Sequence, residues 1–258
     1  MQRAGLIDGT RRPDLHVIVA MGDPDVGHEI DGPLPTIIQH IDSNAEALPL
    51  AEARNIGASA ALDAGADILV FLDVDCIPGK NLLCRYVHCA AAPDCEALLS
   101  GPVAYLPPPP GGGYRLADLP YGARGHPARP VPHEGEILTD GDHRLFWSLS
   151  FALQGHTWST IGGFDEQYLG YGGEDTDFGQ RAAANGVPMH WVGGAWAYHQ
   201  FHPTTDPPTQ HLPDILRNAT TFRRTWGWWP MSGWLRDFEQ MGLAVYDAPT
   251  DAWSQAGP

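Results

Sequence analysis

The sequence predicts an α/β layered fold, and three observations carry that prediction. Two continuous apolar runs, HVIVAM at His16–Met21 and ILVFL at Ile68–Leu72, have the length and make-up of buried strands. Each is followed by a stretch with small or apolar residues at helical spacing. Strand, helix, strand, helix in that order is the signature of a sheet covered by helices.

The run at His16–Met21 follows Arg-Pro-Asp and enters Gly-Asp-Pro, so a loop should come next. Residues 50–64 place Leu50, Ala53, Gly57, Ala60 and Ala61 at the spacing of a closely packed helix that ends near Gly65. Ile68–Leu72 reads as a parallel strand buried on both faces. Residues 80–92 put Leu82, Leu83, Tyr86, Val87 and Ala90 on one helical face.

From 101 to 133 the pattern stops. Four prolines in a row, three glycines and further prolines exclude regular helix or sheet and predict a long loop, either plain surface or an acceptor-binding lid. Structure resumes over 145–153, followed by GHTWSTIGGFDE, read as a glycine-rich turn. A helix is predicted over 174–185, short strands over 189–192 and 195–198, and helices over 214–225 and 231–241 around Trp226, Trp228, Trp229 and Trp234. No internal repeat or second-domain boundary is visible, so 1–258 reads as one domain.

Composition narrows the function. Lys and Arg number 15 against 31 Asp and Glu, a formal charge of -16. Nucleic acid and anionic membranes need clustered positive charge, so both are excluded as main partners. An anionic substrate would need a bound metal ion to attract it. No apolar run approaches the roughly 20 residues that span a bilayer, and the N-terminus lacks a signal-peptide core. Cys76, Cys84, Cys89 and Cys95 contain no CxxC pair and read as free thiols. The chain therefore reads as cytoplasmic.

Three clusters can carry chemistry. Asp73 and Asp75 follow ILVFL; two residues apart in a strand they would share a face, with Val74 turned into the core. Two like charges there call for a hard cation, Mg2+ or Mn2+. Gly170, Gly172 and Gly173 precede Glu174, Asp175 and Asp177 in the first turn of a helix. These carboxylates are either an acidic helix start or include a general base, although the helix dipole should lower the pKa and weaken the base. His199 and His202 stand at i and i+3 before Pro203, and one or both can complete an oxygen-rich metal site.

FLDVDCIP and FALQGHTWSTIGGFDEQYLGYGGEDTDFGQR together resemble glycosyltransferases of the GT-A fold. They are most similar to the β-1,4-galactosyltransferase C-terminal domain and to bacterial family 2 enzymes, over residues 49–202. The resemblance implies a Rossmann-like mixed central sheet with helices on both faces. It implies a metal-dependent inverting enzyme that moves a sugar from a nucleotide-sugar donor, UDP-linked, to an acceptor hydroxyl. Residues 1–100 would bind the nucleotide sugar, 101–144 form the Pro/Gly-rich loop, 145–205 the acceptor and catalytic part, and 206–258 a C-terminal helical segment.

By the same resemblance Asp73 would contact the ribose or sugar of the donor, with Arg54 and Asn55 nearby. Asp75 would ligate Mn2+ or Mg2+, joined by His199 or His202. Asp175 would be the catalytic base, and Glu174 would hold substrate hydroxyls. Tyr171, Gly172 and Gly173 would form the acceptor platform. The first strand of such folds has no counterpart before residue 16, so an upstream start is expected. A nucleotidyltransferase is the enzymatic alternative, but it would need a basic glycine-rich phosphate loop near the N-terminus. A catalytically impaired glycan-binding or assembly module is the other alternative.

Overall fold

The computed structural model describes residues 1–30, 32–43, 47–93, 95–121 and 124–257. In chain order the elements are α1 (Gln2–Asp8), β1 (His16–Met21), β2 (Thr36–Ile41), α2 (Leu50–Asp63), β3 (Ile68–Leu72), β4 (Cys76–Pro78), α3 (Leu82–Ala90), β5 (Leu98–Ser100) and β6 (Val103–Tyr105). There follow β7 (Ile137–Leu138), β8 (Ser150–Gln154), α4 (Gly155–Ile161), α5 (Glu174–Ala184), β9 (Met189–Val192), β10 (Ala197–His199), α6 (Leu212–Trp226), α7 (Ser232–Gln240), β11 (Ala244–Asp247) and β12 (Ala252–Gln255).

The central sheet is mixed, in the order β3-β8-β5-β9-β7. Successive side chains of a strand face opposite ways, and the core divides accordingly. Leu99, Ala152 and Val192 face α3, where they meet Leu82, Leu83, Tyr86 and Ala90. Their neighbours Leu98, Phe151, Leu153 and Trp191 face the other way, against Ala51 and Ala58 of α2, Trp158 of α4 and Phe178 of α5. That second layer holds a ring cluster: Phe71 stacks on Phe151 at 4.4 Å, and Phe164 on Phe178 at 4.3 Å. The buried rings of Phe151, Phe164 and Phe178 each stabilise the fold by about 1.5–3 kcal/mol. Helices thus cover both faces, as predicted.

Several expectations need correction. β3 has its predicted bounds but runs antiparallel to β8, from Ile68 opposite Gln154 to Leu72 opposite Ser150. Among its residues only Leu69 is fully buried. An apolar run specifies burial, not strand direction, and here β3 sits at the edge of the sheet order. The 101–133 segment is not wholly irregular, because Val103–Tyr105 forms β6 and pairs in parallel with β10. The segment GHTWSTIGGFDE begins with helix α4 rather than a turn; its glycines come only after Ile161, where Gly162 caps the helix with positive φ. The strand predicted at 195–198 is Ala197–His199.

The C-terminal segment is not purely helical. β11 and β12 form an antiparallel hairpin, Ala244 opposite Gln255. It joins α6 and α7 in a separate apolar cluster of Leu212, Ile215, Leu216, Ala219, Leu235, Phe238 and Ala244. The sequence reading also passed over β2, the parallel partner of β1, and the short strands β4, β5 and β7. Among the described residues no helix is long and apolar enough to cross a membrane, and the four cysteines are free.

Candidate active site

A three-stranded sheet, β4-β10-β6, builds the first half of the site. β10 runs antiparallel to β4 with His199 opposite Cys76, which sets His199 beside Asp75. Gln200 fastens the junction by donating its backbone N–H (2.9 Å) and its side-chain amide (3.1 Å) to the Asp75 carbonyl. His199 Nε2 then lies 3.0 Å from Asp75 Oδ2, and His202 Nε2 3.5 Å from the same oxygen. Both histidines converge, where sequence required only one.

One carboxylate oxygen and two imidazole nitrogens lie within 4.8 Å of one another. Asp75 Oδ1 is buried with no hydrogen-bond partner. Burial pushes this carboxyl up, but the His199 hydrogen bond and the charges of His199 and His202 outweigh it and hold it below its ordinary value. An ionised carboxylate with an orphaned lone pair, flanked by two imidazoles, fits a divalent ion such as Mn2+ that takes oxygen ligands and accepts imidazole nitrogen beside them.

The DVD segment itself is not strand. Cys76 N–H bonds to the Asp73 carbonyl at 2.9 Å, closing a turn, and Val74 is 85% exposed rather than in the core. A turn does not alternate faces, so Asp73 and Asp75 diverge. Asp75 meets the histidines, whereas Asp73 Oδ1 accepts from Arg54 Nη2 at 3.1 Å.

Arg54 couples the two halves. Its Nη1 donates to Glu174 Oε1 at 3.2 Å while its Nη2 holds Asp73. Burial alone would lower the guanidinium pKa, but Asp73 and Glu174 raise it above its ordinary value. Asn55 turns elsewhere: its amide donates to the Phe164 carbonyl and accepts from the Phe164 N–H, clamping the loop after Gly163.

Glu174 and Asp175 open α5 behind Gly173, whose φ of 95° suits glycine. Glu174 is 6% exposed, and its Oε2 is buried without a partner. Asp175 departs from the dipole argument. Burial, and then the neighbouring Glu174, push it up to about 7, against the smaller pulls of Arg54 and Thr176. Its Oδ1 accepts from the Thr176 N–H at 2.6 Å.

The glycine-rich loop is held from the C-terminal side, through a residue the sequence reading missed. Asn218 of α6, fully buried, donates to the carbonyls of Leu169 (2.9 Å) and Gly172 (2.8 Å). Asp214 accepts from the Tyr171 N–H. Tyr171 stays 39% exposed, its ring stacked on His211 at 4.5 Å. An Asn at one polar position of an amphipathic helix carries no sequence signal for this task.

A family profile described as the N-terminal domain of galactosyltransferase matches residues 142–203. That span holds Glu174, Asp175, His199 and His202. Validoxylamine A glucosyltransferase of Streptomyces hygroscopicus subsp. jinggangensis (strain 5008) is 27% identical over 256 residues, covering 86% of this chain and 58% of that protein. Chondroitin synthase of Pasteurella multocida (strain Pm70) is 35% identical over 72 residues, 28% of this chain and 8% of its own. A crystal structure of GalNAc-T7 with UDP, GalNAc and Mn2+ superposes with a TM-score of 0.54 at 16% identity, covering 78% of this chain and 40% of that one. The fold is the GT-A fold. The GT-A chain described here spans somewhat over half the length of the glucosyltransferase it matches.

Proposed function

We propose that this chain is a metal-dependent, inverting glycosyltransferase that moves a sugar from a UDP-linked donor to an acceptor hydroxyl. The observation that carries the reading is the pairing of two sites through Arg54: a three-ligand cluster at Asp75, His199 and His202, and a carboxyl at Asp175 raised to about 7. The relatives named as glycosyltransferases, and the UDP and Mn2+ bound by GalNAc-T7, support the same reading.

In it, Asp75, His199 and His202 would hold Mn2+ or Mg2+, and the ion would supply positive charge to offset that of a diphosphate leaving group. Asp73, fixed by Arg54, binds the ribose or sugar of the donor. Glu174 Oε2, buried and unpartnered, accepts a hydrogen bond from a substrate hydroxyl, and Tyr171 with Gly172 and Gly173 offers the acceptor an aromatic and backbone surface. Asp175 takes the acceptor proton on Oδ2, since Oδ1 is occupied by Thr176. The acceptor oxygen then bonds to the anomeric carbon while the bond to the diphosphate breaks. One base and one displacement give inversion.

The test is release of UDP from a panel of UDP-sugars with Mn2+ and with EDTA, followed by NMR of the product anomer. Release from one sugar, lost in EDTA, with an inverted anomeric centre supports the reading. Absence of both UDP release and UDP-sugar binding would favour the glycan-binding module.

A further inference from the structure

The loop that sequence left patternless brings a third group to the site. Tyr105 ends β6, and the β6–β10 register sets it directly opposite His199. Their rings lie 4.9 Å apart. Yet Tyr105 is 49% exposed, and its hydroxyl makes no hydrogen bond among the described residues. Asp75 and Asp175 both act on its hydroxyl electrostatically.

Its position is fixed from behind by a ladder of rings. His126 packs on Tyr105 at 6.1 Å and edge-on to Trp147 at 4.7 Å. Arg129 lies between Trp147 (5.0 Å) and Trp191 (4.7 Å), 7% exposed and hydrogen-bonded to Ser100 at the end of β5. The loop wall is thereby tied to the central sheet. A free O–H on a ring held this way is a preorganised donor for an oxygen-rich ligand bound beside His199.

We infer that the Tyr105 hydroxyl donates a hydrogen bond to a diphosphate oxygen of the sugar donor. The inference rests on the transferase reading, which places the diphosphate against the ion held by His199. Tyr105→Phe separates the hydroxyl from the ring.

Calorimetry of the full chain with UDP and Mn2+ should show Tyr105→Phe binding UDP about ten- to a hundredfold more weakly than wild type, the range for one hydrogen bond to a charged group. Its affinity for Mn2+ alone should be unchanged. Wild-type UDP affinity in Tyr105→Phe, with loss of Mn2+ binding in Tyr105→Ala, would mean that the ring only props His199, and the inference would be overturned. Wild-type protein that binds Mn2+ but never UDP would instead overturn the transferase reading itself.

Discussion

At the scale of the residue, Asp175 shows how two opposed effects resolve. Position at a helix start favours the carboxylate by about 0.3–1 kcal/mol. Burial beside Glu174 opposes it more strongly and lifts the pKa to about 7, where a carboxylate is a competent base near neutral pH. Two consequences follow with opposite signs. On the transferase reading Asp175→Asn removes the base, so turnover should fall about 10²–10⁴-fold. It should also melt higher than wild type at alkaline pH. The folded state binds this proton more tightly than the unfolded chain, so the group's contribution to stability is fullest below about pH 4 and is lost as pH rises to about 7. Melting curves at pH 5 and pH 8 check this: the variant's gain over wild type should be larger at pH 8 than at pH 5. The wild-type rate should decline as pH drops below about 7.

At the scale of the element, the site depends on the ladder that seats β10 between β4 and β6. Gly101 is where that ladder has no slack. A Cβ there would sit 2.1 Å from the Ala195 carbonyl and 2.7 Å from the Tyr86 hydroxyl, which itself accepts from the Gly101 N–H. Gly101→Ala should therefore displace the start of β10 and carry His199 away from Asp75. Overpacking of this kind costs about 1–3 kcal/mol, and Mn2+ affinity should fall together with the melting temperature. A variant that loses stability but keeps Mn2+ affinity would show that the ladder is not what aligns the cluster. Sequence disclosed β1, β3 and β9 to the residue, because each is a mainly apolar run. It concealed β6, three residues among prolines whose only strand partner lies about ninety positions away. Asp73, Asp75, Asp175, His199 and His202 were legible as candidates from residue types in a pattern. Their geometry was not: strand alternation was carried one residue too far, and Val74 is exposed because the chain has already turned.

At the scale of the whole molecule, charge sets how the donor binds on the transferase reading. With a net charge of -16, the surface repels a nucleoside diphosphate. Within the site Arg54 is already spent on Asp73 and Glu174, and Arg129 is enclosed between two indoles. Neither guanidinium is left to meet a phosphate in the open. The Asp75 cluster must therefore load its ion first, and binding should be ordered: UDP alone, at any concentration, should leave the melting temperature unchanged. Mn2+ alone at a hundred times its Kd should stabilise the fold by about 2.7 kcal/mol, and UDP should add to that shift only once Mn2+ is present. For a chain of this size each kcal/mol moves the midpoint by about 2–4 °C, so the first step alone should be visible in a thermal melt. Asp75→Asn should abolish both shifts without losing the fold, since the orphaned Oδ1 already lacks a partner. A UDP-induced shift in EDTA would mean that some other cationic surface receives the donor, and the metal-first order would have to be abandoned.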